Sequence, residues 1–480
     1  MDPPTEWFLE SHWLTNTLFD CLIWRKADNS GYVGQAASSW QQMDATTWRF
    51  HLRPNLKFQN GEALDATAVK WNLDRVRTDS TLMVAPQWQF IKSVNVVDPV
   101  TLDVLTNGPQ AYFEFFISFN GCELVPPAYW QKVGSSGFAA HPIGSGPYML
   151  TSFIANQRYV FDAWSGYWAG KPKIDEIVYQ VIPDKSSQIA ALLAHQVDLV
   201  YDVPTEDMQN VQSASGITTM KGPSGQVVFL RLRADTASGN MSKTYPGYNP
   251  VTEDPKVRLA ISHALDRVAL AKIEGNATPS LVRIPASYPE AFASEFTGDG
   301  PTTQWYNQAL SKSLLQEAGY SASHKPTVYM DASNLQLGNN KDVAQAVVSM
   351  LEAVGFNVNL KLWDPTAFDA NIVSPGNNRD IVQMEIGGIP ALTPLLYTCA
   401  WKEPTYHICD EGWTAIGNQI ETTTDPAARL QLWHQWETDY INIAQAPVLY
   451  EVNQWYAMNS KFKWTPRADG WETFRDLQLA

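Results

Sequence analysis

The sequence predicts an α/β protein with two lobes around a cleft. Three observations carry that expectation. Between Thr47 and Leu73 the chain reads TWRFHLRPNLKFQNGEALDATAVKWNL, a strand, a turn and a helix. From Lys173 the rhythm changes to alternating strands and helices, and a second such alternation begins near Lys325. The first α/β unit is built from non-contiguous stretches, which leaves two lobes to enclose a cleft.

In the opening segment Trp48, Phe50 and Leu52 alternate at the period of a strand. Pro54-Asn55 breaks it, Asn60-Gly61 turns the chain, and Asp65 and Thr67 lead a helix carrying Val69, Trp71 and Leu73. Residues 40–165 otherwise read as strands and loops. Ile177–Ile182 is predicted as a strand, Asp184 caps a helix over Ser186–His195, Val197–Val203 is a strand, and Thr205 caps a helix through Val211. Val227–Leu232 is a further strand. Asp254-Pro255, a capping residue followed by proline in the first turn, opens a helix expected to bury Val257, Ile261, Ala264, Leu265 and Val268. In the second unit Thr327–Asp331, Val358–Trp363 and Ile381–Ile386 read as strands, with an amphipathic helix over Lys341–Val354. Asp425-Pro426 starts a helix carrying Leu430, Trp433, Trp436 and Tyr440, and Pro447–Tyr456 is a last apolar strand.

Composition narrows the function. The 480 residues carry 34 Lys+Arg against 49 Asp+Glu, a net charge of −15 with no basic run, which argues against nucleic acid and anionic membranes as partners. The longest apolar stretches, such as Ala111–Phe119, are far too short to span a bilayer. Met1-Asp2-Pro3-Pro4 leads directly into polar and aromatic sequence, so Met1 is expected to be an expression start or a trimmed mature end. Most of the 19 Trp are expected in cores, the remainder lining a pocket. Four Cys suit an oxidising compartment. Cys399 and Cys409 flank a loop from Trp401 to His407; a disulfide there closes a short ring worth about 2–3 kcal/mol. The alternative, zinc held by these two and His407, lacks a CxxC pair.

The Thr47–Leu73 string resembles the TWxFxLRxxxKFxxG and xxxxAxxVxxxL pattern of the solute-binding proteins of peptide/nickel ABC importers (extracellular solute-binding family 5, class C). Further stretches match in order. His141–Tyr148, HPIGSGPY, is similar to the family's PxGTGPY loop; Tyr167–Asp175 resembles its YWxGKPxxD linker; Ile182–Val200 and Asp254–Arg267, DPKVRLAISHALDR, resemble two more of its signatures. The resemblance implies two α/β lobes with an extra small domain. Lobe I is expected over 1–35, 173–258 and 456–480, the small domain over 36–172, and lobe II over 259–455. It also implies a periplasmic or extracytoplasmic, monomeric protein without cofactor, metal or catalytic residue. Such a protein captures a small molecule between closing lobes and delivers it to a membrane permease. The two Gly of the Gly144-Ser145-Gly146 loop are expected to leave N–H groups free for a ligand.

Peptide-binding members carry Trp-x-Gly-Asp near residue 388, the Asp pairing with the peptide amino terminus. Here the chain reads Met384-Glu385-Ile386-Gly387-Gly388-Ile389, so Ile386 stands for the Trp and Ile389 for the Asp. An apolar side chain cannot offset the desolvation of an ammonium; Asp364 or Glu385 would have to substitute. The expected ligand is therefore a sugar, a sugar conjugate or an opine, with a di- or oligopeptide as the alternative. The contact set is Trp13, Asn16, Gly144, Ser145, Gly146, Trp363, Gly387, Gly388, Ile389 and Trp401, with Trp413 a further aromatic platform. Eight scattered His without a close pair disfavour a nickel chelate. A secreted glycoside hydrolase is the remote alternative, but the βαβ order opposes it, and there is no G-x-S-x-G elbow and no phosphate loop.

Two disulfides are expected, Cys399–Cys409 and Cys21–Cys122. Non-reducing peptide mapping should recover a cross-linked fragment containing 399 and 409; free thiols at both positions would refute the pairing.

Overall fold

The Asp65 carboxylate accepts from the Ala68 N–H at 2.9 Å and starts the Ala66–Thr78 helix, as its position ahead of an apolar-periodic stretch predicts. The computed structural model describes residues 1–5, 9–233, 249–334, 340–373, 380–396 and 411–480. Trp401, Cys399, His407 and Cys409 therefore lie outside the described residues. The chain divides into two units, 1–222 with 455–480, and 223–454.

In the first unit, Thr47–Leu52 pairs antiparallel with Ala37–Asp44 on one side and Thr101–Thr106 on the other, and Ile91–Asp98 completes four strands. The alternation read from the sequence puts Phe50 and Leu52 into a core with Val69, Leu73, Val94, Leu102 and Val104. Trp48 lies flat on Phe113 with ring centroids 4.5 Å apart. A second, three-stranded sheet of Tyr148–Ile154, Arg158–Ala163 and Glu176–Gln180 closes over Leu18, Phe19, Phe138 and Phe161. The Lys185–Leu193 helix is capped by Asp184, which accepts from Ser187 N at 2.7 Å. Cys21 and Cys122 form a disulfide across 101 residues, a loop whose closure is worth on the order of 4–5 kcal/mol in the chain-entropy account.

In the second unit, Thr327–Ser333 runs parallel to Asn357–Trp363 and to Ile381–Gly387, and the latter pairs antiparallel with residues 226–232 of the Ile217–Leu232 strand. The Asn340–Val354 helix connects the two parallel strands and buries Val343, Val347 and Leu351 against Val328 and Met330. The Pro426–Ile443 helix starts at Asp425 as expected and buries Trp433, Trp436 and Tyr440.

One expected helix is two. Pro255–Ala264 ends where Leu265 turns extended, and Asp266 accepts from Ala269 N at 3.0 Å to begin Arg267–Glu274, so Val268 belongs to the second helix. The DPKVRLAISHALDR stretch is thus a structural device. Its buried Arg258 donates to the carbonyls of Thr252, Glu253 and Ile443. Its buried Arg267 donates to Val448 O at 2.6 Å and Ser262 O at 3.1 Å. Burial pulls the Arg267 guanidinium down to about 9.

Two buried carboxylates hold the irregular segment that runs from Ser280 to Thr297. Glu437 accepts from the N–H groups of Arg283 and Ile284, and Glu451 from Ala286 N, Ser280 Oγ and Thr297 Oγ1. Burial raises both, against the lowering effect of these donors, to about 8 for Glu437 and about 7 for Glu451. Glu472 in the first unit is likewise pushed up to about 7. A carboxyl with a raised folded-state pKa keeps a proton that the unfolded chain has already released, so its contribution is full below the ordinary Glu range and lost as pH rises through 7–8. The melting temperature should fall between pH 5 and pH 8.5. The fall should be shallower in Glu437→Gln; an unchanged slope in that variant would contradict the assignment.

Candidate functional site

Within the first unit a small polar recess, with room for about one water-sized group, opens among His12, Asn16, Trp24, Arg25, Asn120, Glu123, Arg467 and Trp471. His12 and Asn16 lie four apart on the Leu9–Leu18 helix and so share a face. Trp24 and Arg25 come from the Ile23–Arg25 strand, and residues 118–123 form the turn that the Cys21–Cys122 disulfide ties to it.

The two carboxylates at this recess are held differently, Glu123 by neutral donors and Asp469 by guanidinium groups. Glu123 accepts from Thr15 Oγ1 at 3.2 Å and Gly121 N at 3.0 Å, with His12 Nδ1 3.6 Å away. Asp469 meets Arg25 at 2.6 Å and accepts from Arg467 Nε and Nη2 at 3.1 and 3.0 Å. Burial alone would raise the Asp469 carboxyl, but the two guanidinium groups hold it below its ordinary value. Neutral groups are the ones left open. His12 Nε2, Asn16 Nδ2, Trp24 Nε1 and both polar atoms of the Asn120 amide are buried without a partner among the described residues. Aromatic walls complete the recess: Trp471 lies 4.6 Å from the His12 ring and 4.5 Å from Phe119, centroid to centroid.

The helix carrying His12 and Asn16 is anchored at its far end by Asp20. This carboxylate, 1% exposed, accepts from Arg475 Nη2 at 2.7 Å, Trp168 Nε1 at 2.8 Å and Tyr167 OH at 3.2 Å. Arg475 also donates to the carbonyls of Asn16 and Phe19.

The expected contact residues divide. Asn16 lines the recess. Trp13 is buried edge-on against Tyr201, with its indole N–H unpartnered among the described residues. The N–H groups expected to be free at Gly144 and Gly146 are not: Gly144 N donates to Gln59 Oε1 at 3.1 Å and Gly146 N to Leu18 O at 2.9 Å. Glycine is required at Gly144 because a Cβ would stand 2.0 Å from Leu18 O. Ser145 Oγ accepts from Asp20 N. In the second unit Trp363 is half-buried, donates to Asp331 Oδ1 at 2.9 Å and carries Lys361 Nζ 3.2 Å over its ring. Gly387 O accepts from Arg283 Nη2, and Gly388 packs where a Cβ would lie 2.1 Å from Pro285 Cδ. Ile389 is buried, and its carbonyl accepts from Thr393. Asp364, considered as a substitute carboxylate, caps the Pro365–Phe368 helix through Ala367 N. Trp413 is core rather than platform, stacked on Trp436 at 4.4 Å and donating to its carbonyl. Sequence reasoning missed His12, Asn120 and Glu123. The four-residue spacing of His12 to Asn16 was a visible signal; the 118–123 turn carried none.

The sequence model of the bacterial extracellular solute-binding proteins, family 5 (middle region), matches residues 31–407. The chain belongs to this family. It is the solute-binding subunit of an ABC importer, a non-enzymatic transport component acting outside the cytoplasm. It is 26% identical over 426 residues to the glutathione-binding protein GsiB of Salmonella paratyphi A, covering 86% of this chain and 77% of the relative. Its fold matches that of the binding protein AgaA of A. tumefacien R10 in complex with agropinic acid, with TM-score 0.80, 20% identity, 100% of this chain and 96% of that one. It also matches a dipeptide-binding protein of Pseudoalteromonas sp. SM9913 in complex with Met-Leu, with TM-score 0.82, 17% identity, and 100% and 97% coverage. Among the described residues no helix is long and apolar enough to cross a membrane.

Removing the Asp20 carboxylate leaves the buried Arg475 guanidinium without its partner, a loss of about 3–5 kcal/mol. Denaturant unfolding of Asp20→Ala should show a destabilisation of that order, with Asp20→Asn losing somewhat less. A change under about 0.5 kcal/mol, the range of an ordinary surface substitution, would contradict the anchoring role.

Proposed function

We propose that the captured solute is a small polar compound rich in neutral hydroxyl or amide groups: a sugar, a sugar conjugate or an opine. The observation that carries this reading is the state of the recess, where Asp469 is closed by two guanidinium groups, Glu123 is held by neutral donors, and amide, imidazole and indole groups are left open. A neutral hydroxyl exchanges its water hydrogen bonds for these groups without the desolvation penalty of an ion. Ile389, apolar and buried, supports the same reading, because peptide-binding members place an Asp there.

The second reading is a di- or oligopeptide. Relatives named as glutathione-binding and the fold match to a Met-Leu complex favour it. In this chain a peptide ammonium meeting Ile389 in place of a carboxylate would lose about 3–5 kcal/mol, roughly a hundredfold to several thousandfold in affinity.

The same proposal includes Trp13, Asn16, Trp363, Gly387, Ile389 and Trp401 as contacts, while Gly144 and Gly146 pack on Leu18, Ser145 on Asp20 and Gly388 on Pro285. It includes a monomeric protein and a three-part division into 1–35 with 173–258 and 456–480, 36–172, and 259–455. Solute binding is proposed to close the lobes, which favours the closed state only by differential affinity.

Calorimetry against Met-Leu, glutathione, glycosides and agropinic acid tests the reading. Tight binding of a glycoside or opine, with weak or absent binding of unmodified peptides and a more compact scattering profile on binding, is expected. Micromolar or better affinity for ordinary dipeptides or glutathione would overturn it in favour of the peptide reading.

A further inference from the structure

We infer that Asn120, seconded by Asn16, is a specificity-determining residue. It selects an uncharged solute group that both donates and accepts a hydrogen bond, such as a hydroxyl or a carboxamide, and rejects a carboxylate or an ammonium at the same place. This rests on the recess being part of the solute site, as proposed above.

The Asn120 side chain is 2% exposed, and its Oδ1 and Nδ2 are both without a partner among the described residues. Because both atoms are open, the amide's orientation does not alter the argument: one donor and one acceptor are presented either way. The backbone holds it there. Trp88 Nε1 donates to the Asn120 carbonyl at 2.9 Å, Cys122 N donates to Phe119 O at 2.9 Å, and Gly121 N donates to Glu123. The Cys21–Cys122 disulfide pins the end of the same turn. The amide therefore cannot swing into water to recover hydrogen bonds. Each buried polar atom left open carries a desolvation cost, which a ligand supplying the missing bonds returns.

The partner's chemistry follows from one open donor beside one open acceptor. A hydroxyl or carboxamide donates to Oδ1 and accepts at Nδ2. A carboxylate satisfies Nδ2 but sets negative charge against Oδ1, and an ammonium does the reverse. The ions around the recess balance, Glu123 and Asp469 against Arg25 and Arg467, so their sum offers no net charge to offset either misfit. Asn16 Nδ2, lining the same recess, adds a second open donor that a polyol can use.

The test uses small probes and needs no knowledge of the natural solute. In deuterated, ¹⁵N-labelled full-length protein, the side-chain amide signals of Asn16 and Asn120 are assigned by their absence from Asn16→Ala and Asn120→Ala. Acetamide, ethylene glycol, acetate and methylammonium are then titrated at matched ionic strength. Acetamide and ethylene glycol should shift both signals saturably, and the two ions should not. Asn120→Leu, checked for native melting, should weaken the neutral probes' effect on Asn16 about tenfold or more. Asn120→Asp, an acceptor only, should turn the preference toward methylammonium. Shifts by acetate or methylammonium equal to those of the neutral probes would overturn the inference. So would silence toward all four, which marks the recess as a water site, or an unaltered response in Asn120→Leu. Tight dipeptide binding in calorimetry together with the neutral-probe preference would sink the sugar or opine reading while leaving the role of Asn120 intact.

Discussion

The first unit depends on the Asp20 carboxylate. Four stretches of chain far apart in sequence meet at this residue: the Leu9–Leu18 helix it terminates, the Ser145 loop, the Tyr167-Trp168 linker and Arg475 near the C-terminus. A carboxylate so deeply buried is tolerated only with its charge matched and its lone pairs filled, and Arg475, Trp168 and Tyr167 supply both conditions. The bridge also explains the Gly-Ser-Gly loop. Its glycines let the chain press against the Leu18 carbonyl, where a Cβ has no room, so the loop seals the end of the helix rather than offering its N–H groups outward.

The second unit solves a comparable problem with backbone rather than ion pairs. Arg258 and Arg267 spend their donors on carbonyls at helix ends and on the Val448 carbonyl, satisfying groups that a helix leaves open. Glu437 and Glu451 do the converse for the Ser280–Thr297 segment, accepting from N–H and hydroxyl groups that no sheet or helix satisfies. A long irregular segment can be buried only if its polar groups find such partners, and two carboxylates supply them at the expense of sensitivity to pH.

Solute recognition calls for the opposite arrangement, polar groups held in place and left open. In the recess Asp469 is spent on guanidinium groups and Glu123 on neutral donors, which leaves amide, imidazole and indole groups open. In the proposed reading, that division gives orientation-sensitive recognition of neutral groups without the cost of desolvating a free charge.

Much was legible along the chain. The alternation of Trp48, Phe50 and Leu52, the caps Asp65, Asp184, Asp254 and Asp425, and the amphipathic Asn340–Val354 helix follow from local rules of period and capping, and each took its expected form. Asp266 was the local signal that was underread, since a cap inside an apolar-periodic run splits one helix into two. The recess was not legible, apart from Asn16. His12, Asn120, Arg467 and Trp471 become neighbours only when a disulfide, a buried carboxylate and the return of the C-terminal segment bring four stretches together. Periodicity and capping act over a few residues and are written in the sequence, whereas which polar atoms stay open is settled by what long-range packing places beside them.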